Sequence, residues 1–443
     1  MSPPVFAKPP DGGWGWMVVL AAFCQSALVF GVLRSFGVFF VEFVAHFQES
    51  SSSTSWITSV SIATLMCGSP LATGLGKRFG ERPVAMLGGF LSGFGLLLAS
   101  FATSLAQLYV FIGLLTGVGG ALIFAPSLSL VARYFDRRRA VANAVAFSGA
   151  GIATLGFSPL FQLLVDGYGW RGGLLILSGM VFNLVVCGAL LRPLRLATEE
   201  TKDEGSLEPP SRGQRLVLLF GLNLLVHRDF LIFSGAGMLI ICGYFIPFAH
   251  LVPHAREMGL DEYQAAFLVS AVGISDIVGR VLAGGLAAWT SLRLVHNLAI
   301  WTVLTGLSLL VVPLGRSYAA MMAISVGYGF LASAVIPLKF SSLVEIVGTE
   351  QIMGAIGLIH MLESFEALVG PPLSGWIRDR TGSYNASFLA AGAFVTAGGL
   401  AFLMLPGFFS LRPPASPKKL DFPEGEKPEE SPDPNHRNRL YSA

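Results

Sequence analysis

Twelve long apolar runs govern everything this chain can fold into. They fall at about 14–41, 56–76, 83–104, 107–131, 140–164, 171–191, 230–252, 264–288, 296–314, 318–345, 351–377 and 386–410. Each reaches the roughly 19–20 residues that a helix needs to cross a ~30 Å hydrocarbon layer. Backbone groups in lipid must bond within their own segment, so the runs are read as helices and not as open sheet. The composition agrees: 53% of residues are hydrophobic and 13% charged, against about 25% charged in soluble domains. The start, MSPPVFAKPPDGG, is polar and Pro-rich, without a signal-peptide pattern, and the first long run is expected to stay in the bilayer. The expected fold is an all-α membrane protein of twelve transmembrane helices in two six-helix bundles.

The two halves are separated by LRPLRLATEETKDEGSLEPPSRGQR, which carries paired charges and no apolar period. That organisation gives an N-terminus at 1–13, a first bundle at 14–191, a linker at 192–229, a second bundle at 230–410 and a disordered tail at 411–443. Lys and Arg collect in alternate loops: Lys77, Arg78 and Arg82 after span 2, Arg133 and Arg137 to Arg139 after span 4, and five more in the linker. By the positive-inside rule those loops and both termini are cytoplasmic. Arg378 and Arg380, in the 11–12 loop, dissent mildly. The plasma membrane is the default location, with a Golgi or other internal pool as the alternative. This layout is that of a transporter whose halves rock about a midplane site; a channel or a membrane enzyme is the weaker reading.

Several function classes are excluded or unsupported. A net charge of +2 is too small to indicate nucleic acid. The four cysteines, Cys24, Cys67, Cys187 and Cys242, sit in apolar runs and form no CxxC, so they read as inert core thiols. No phosphate-binding glycine loop and no HExxH occurs, and no cofactor or metal is expected. Work would have to come from an ion gradient.

The charges inside apolar runs indicate the cargo, because an ionisable side chain in lipid costs at least ~2.5 kcal/mol. Span 8 carries Asp276 and Arg280 in AVGISDIVGRVLAGG, on one helix face at i,i+4. Two readings stand: a structural ion pair, or a site in which Arg280 binds an anionic substrate while Asp276 takes and releases a proton. Arginine suits a carboxylate because its planar fork donates two parallel hydrogen bonds. Span 1 adds Arg34, a second cation for the same cavity. Lys339 in span 10 either lines the path or snorkels to the interface. Glu363 and Glu366, with Phe365 between them in HMLESFEALVG, form a structural network or a gate in span 11. Small residues in FSGAGIA (147–153) and GVGGA (117–121) fit close helix packing. Pro371 and Pro372 are expected to kink or interrupt span 11.

Four stretches resemble the proton-linked monocarboxylate transporter family. PPDGGWGWMVV (9–19) matches its N-terminal signature through Asp11, Gly12, Gly13, Trp14, Gly15 and Trp16. ARYFDRRRAVANAVAFSGAGIA (132–153) matches the signature leading into span 5, through Tyr134, Phe135, Arg138 and Arg139. DEYQAAFLVSAVGISDIVGR (261–280) and LVGPPLSGWIRDRTGSY (368–384) complete the set, and the resemblance covers nearly all of 9–408. It implies symport of a small monocarboxylate anion, such as lactate, pyruvate or a ketone body, with a proton. Other members carry creatine, carnitine, thyroid hormone or aromatic amino acids. In the lactate carriers a span-8 aspartate and arginine, matched by Asp276 and Arg280, are the coupling and binding pair. Those carriers place a lysine in span 1 where this chain has Arg34, and arginine does not give up its proton. A pH-independent facilitative carrier is therefore the alternative to symport, and a non-transporting interaction protein the third reading. Well-studied members reach the surface with a single-span immunoglobulin-like glycoprotein, which makes one a candidate partner here. The sequon at Asn385 lies at a membrane edge and is expected to remain unmodified.

Overall fold

The computed structural model describes residues 5–6, 10–135, 139–196, 222–289, 292–406 and 408. Most of the linker, the tail and Arg138 lie outside these residues, as does the Arg139 side chain. Apart from a two-residue parallel pairing of Val5–Phe6 with Arg195–Leu196, the described chain is built of helices and their connections. Ten stretches are long and apolar enough to cross a membrane. One of them, Val145–Leu190, has 46 residues, about twice the span length. It lies in α8 (Arg139–Leu190) and turns at Gly169, whose φ of 67° is open to glycine without a Cβ penalty. Spans 5 and 6 are therefore the two arms of one hairpin-like element. The twelve-helix expectation is consistent with this count.

The first bundle opens with α1 (Gly15–Ser26), followed by a π-helical turn at Ala27–Gly31 and the short α2 (Val32–Ser35). A widened turn of this kind re-aims the side chains that follow it, and Arg34 is among them. Then come α3 (Gly37–Phe47), α4 (Ser51–Phe79), α5 (Glu81–Ser100), α6 (Leu105–Leu108) and α7 (Gly117–Tyr134), before α8. The second bundle comprises α9 (Arg228–Tyr244), α10 (Ile246–Glu257), α11 (Glu262–Trp289), α12 (Leu294–Val311), α13 (Tyr318–Ala332), α14 (Val335–Thr381) and α15 (Asn385–Ala401). Many large apolar side chains, including Leu71, Phe79, Phe90, Val186 and Leu282, are exposed. That exterior suits lipid and not water.

Two expectations change in detail. Pro371 and Pro372 do not interrupt span 11, because α14 runs helical through both to Thr381; neighbouring helices and hydroxyls can re-satisfy the carbonyls that a proline frees. The cysteines are not all core thiols: Cys187 and Cys242 are buried, but Cys67 is exposed.

The two signature stretches pack on each other at the basic-loop end of the first bundle. The Asp11 amide donates to the Tyr134 carbonyl at 3.0 Å, and the Trp14 indole N–H donates to Leu190 O at 3.2 Å. The Trp16 and Phe135 rings meet edge to face at 5.1 Å. A Cβ on Gly15 would stand 3.0 Å from the Phe135 ring, so a larger residue here would push the ring back by a few tenths of an ångström. The tyrosine hydroxyl of Tyr134 closes the cluster on Arg192 O.

The bundles meet along α4 against α14 and along α8 against α11. At the second seam a glycine faces a glycine. A Cβ on Gly273 would lie 2.8 Å from Gly151 O and 3.0 Å from the Leu155 amide. Gly151 belongs to the run FSGAGIA (147–153). Replacing Gly273 with leucine is expected to force the seam apart and to lower transport at least ~10-fold with little change in expression, read by uptake per surface-labelled protein.

Candidate functional site: a charge bridge between the bundles

Asp276 lies midway along α11 and is 4% exposed. Its carboxylate is shared by two arginines from opposite bundles. Arg280, one turn further on, donates from Nε to Oδ2 at 3.1 Å and from Nη2 to Oδ1 at 3.2 Å. Arg34 of α2 donates from Nη1 to Oδ2 at 3.1 Å. The i,i+4 spacing brings Arg280 onto the carboxylate, and the seam between the bundles brings Arg34. Two guanidiniums around one carboxylate leave one net positive charge. The remaining Arg34 nitrogens, Nε and Nη2, make no hydrogen bond to a described residue.

Aromatic groups hold the trio in place. The Arg34 guanidinium lies 4.9 Å from the Phe248 ring centroid, a cation–π distance. Phe248 packs in turn on Tyr244 and Tyr328, and the Tyr328 hydroxyl donates to Tyr244 O at 2.8 Å. All three are at most 6% exposed. None of these aromatic residues was singled out in the sequence, because apolar runs are full of aromatics and only the fold picks out those over the arginine.

The other intramembrane charges do not join this site. The Lys339 ammonium contacts both oxygens of Glu363, at 2.8 and 2.7 Å, with the two side chains 2% and 0% exposed. The pair joins two parts of α14 within the second bundle. Gly237 of α9 makes room for it, since a Cβ there would stand 2.6 Å from Glu363 Oε1. Phe365 lies two residues on, roughly 200° around the helix, and is 62% exposed. Glu366 is half-buried.

A second contact between the bundles lies at the end away from the basic loops. The amides of Ser51 and Ser52, at the start of α4, donate to the two oxygens of Asp379, near the end of α14, at 3.2 and 2.9 Å. This is a carboxylate capping the positive end of a helix that belongs to the other bundle. Around it the Tyr384 hydroxyl donates to Ser51 Oγ at 3.2 Å, and Ser52 Oγ donates to Pro372 O at 3.2 Å. His250 of α10 stands within 3.4 Å of Ser55 Oγ and 3.3 Å of Pro371 O. Arg378 ties the same corner to Glu257 at 2.6 Å. Asp379 does not stand out in the sequence; the clasp exists because folding brings the start of span 2 to the end of span 11. Charge-assisted bonds to amides contribute about 1.5–3 kcal/mol each when buried. For this partly exposed clasp, Asp379→Asn is expected to raise the labelling rate of a cysteine placed at Ser55 by about 5–30-fold.

The fold and the inter-bundle site define a membrane transporter, and not an enzyme. Residues 18–297 match the Major Facilitator Superfamily. Relatives include monocarboxylate transporter 13 of Rattus norvegicus, 50% identical with 91% of each chain covered, and of Bos taurus, 49% identical with 93% of each covered. Monocarboxylate transporter 11 of Homo sapiens is 41% identical, over 90% of this chain and 84% of that one. Among solved structures, a POT family transporter in complex with 5-aminolevulinic acid superposes with a TM-score of 0.70 at 16% identity, covering 91% of this chain and 99% of that one. The chain belongs to the monocarboxylate transporter family of the major facilitator superfamily, and is a multi-pass membrane protein.

Proposed function

We propose that the protein carries a small monocarboxylate together with a proton by alternating access, with Arg34 and Arg280 binding the anion and Asp276 holding the proton. The observation that carries this reading is the shared carboxylate. While Asp276 is ionised, it occupies hydrogen-bond donors that a substrate carboxylate would need. When Asp276 takes a proton, both guanidiniums are released to the anion at the interface of the bundles. Proton and anion then enter as a pair, because a carboxylate of substrate replaces the carboxylate of the protein. Arg34 stays charged throughout, so the proton is assigned to Asp276 alone.

The clasp at Ser51, Ser52 and Asp379 would close one end while the bundles part at the other. With the basic loops taken as cytoplasmic, the clasped end is extracellular, and both termini are inside. The partition into bundles at 14–191 and 230–410, a plasma-membrane location and an immunoglobulin-like ancillary partner belong to the same proposal. The span-1 arginine also supports a second reading, pH-independent facilitated transport of another organic solute.

Uptake of labelled lactate, pyruvate and 3-hydroxybutyrate into proteoliposomes, with and without an inward proton gradient, separates the two. Gradient-stimulated uptake of one of them supports symport; equal uptake at all pH values supports the facilitative reading. Arg280→Lys is expected to weaken apparent anion affinity at least ~10-fold, because a point charge replaces the bidentate fork.

A further inference from the structure

We propose that Tyr244 and Tyr328 are positioning residues: they exchange hydrogen bonds across the breaks in spans 7 and 10, fix the pivot of α10, and so keep the Phe248 ring on Arg34. This rests on the reading that Arg34 binds the anion, and it adds two residues that act on Arg34 through Phe248. Span 7 passes from α9 to α10 at Phe245, and span 10 passes from α13 to α14 at Ser333 and Ala334. A proline follows each break, Pro247 and Pro337. Proline has no amide proton, and its ring crowds the carbonyl four residues back, here that of Gly243 or Ser333. The last carbonyls of α9 and α13, those of Tyr244 and Ala332, receive no backbone amide among the described residues. In a bilayer such carbonyls need another donor, and the tyrosines supply it crosswise. The Tyr328 hydroxyl, on α13, donates to Tyr244 O at 2.8 Å. The Tyr244 hydroxyl, on α9, donates to Ala332 O at 3.5 Å. Each tyrosine thus closes the break in the other's span.

The latch sits where it acts on the charges. Phe248 packs on both tyrosine rings and against the Arg34 guanidinium. It lies in the first turn of α10, and His250, two residues on, stands in the clasp beside Ser55 and Pro371. The aromatic partner of Arg34 and one wall of the clasp are therefore carried by the same 12-residue helix, which pivots at Phe245. A swing of α10 moves both. The break in span 10 packs in turn on both flanks of Asp276. A Cβ on Gly329 of α13 would collide with Ser275 Oγ, and a Cβ on Gly279 of α11 would collide with Ser333 Oγ. Loss of the Tyr328 hydroxyl would leave Tyr244 O buried without a donor, which favours any arrangement that lets water reach it. Parting of the clasp, with α10 swung away, is such an arrangement.

The test combines two readouts on the full-length protein in proteoliposomes. One is maleimide labelling of Ser55→Cys without cargo. The other is the half-saturating concentration and maximal rate of uptake for the best transported of lactate, pyruvate and 3-hydroxybutyrate. Tyr328→Phe keeps the ring and removes the donor. It is expected to raise the labelling rate about 3–10-fold and the half-saturating concentration about 3–10-fold, with a smaller change in maximal rate. Tyr244→Phe, which loses only the 3.5 Å bond, should change both readouts by less. The control is Thr305→Val, which removes a buried hydroxyl bonded to Trp301 O at 2.7 Å elsewhere in the second bundle. It should lower the melting temperature, as Tyr328→Phe does, but leave labelling and half-saturation within about twofold of wild type. Labelling within about twofold of wild type in Tyr328→Phe, a half-saturation shift no larger than the control's, or a larger effect from Tyr244→Phe overturns the latch. Failure of the wild type to transport any of the three acids overturns the anion reading instead, and the labelling readout still decides the latch.

Discussion

Replacing Asp276 with asparagine should abolish gradient-driven uptake, lowering it by about 100-fold or more, or at least ~2.8 kcal/mol in the barrier, while the protein still reaches the membrane. Asparagine keeps a carbonyl oxygen for one guanidinium but cannot take and release a proton. The trio, which has one net positive charge around Asp276, would then have two. Anion binding should hold or tighten while net transport collapses, because the bound anion no longer meets a carboxylate that displaces it. Exchange of internal for external anion needs no net proton movement, so it should lose less than net uptake does. That contrast separates the effect from misfolding, which would depress both equally. Surface labelling and paired uptake and exchange assays read it directly.

The second large effect concerns stability. Lys339 and Glu363 are a bidentate ion pair, essentially without solvent contact. Lys339→Met leaves the Glu363 carboxylate buried without its partner, which typically costs about 3–5 kcal/mol. The purified variant should therefore melt well below the wild type. The double variant Lys339→Met with Glu363→Gln should recover much of the loss, since no buried charge is then left unpaired. A cavity-lining role would give a different pattern: Lys339→Met would spare the melting temperature and alter uptake.

Much of the fold was legible because lipid imposes simple rules. Apolar length announces spans, and the rule that backbone groups bond internally makes them helices. The runs at 140–164 and 171–191 read as separate spans, and the structure shows that Gly169 supplies the turn between them. The site was legible in part. A charge in an apolar run advertises itself, so Arg34, Asp276, Arg280, Lys339 and Glu363 were all found as candidates. Their pairing was not readable: Arg34 and Asp276 are 242 residues apart, and nothing local records that α2 of one bundle faces α11 of the other. The same holds for Asp379 and Ser51, 328 residues apart. The π-helical turn before Arg34 carries no proline or charge to announce it. Phe248 is anonymous among 34 phenylalanines until the guanidinium is seen above it.

Proton movement with the cargo tests the central claim most directly. Proteoliposomes containing the purified protein and a trapped pH indicator would be given an inward monocarboxylate gradient at equal internal and external pH, with the cargo impermeant on its own over the assay. The bridge at Arg34, Asp276 and Arg280 predicts internal acidification with about one proton entering per anion, and none in Asp276→Asn. Anion uptake of normal rate without acidification in the wild-type protein would contradict it.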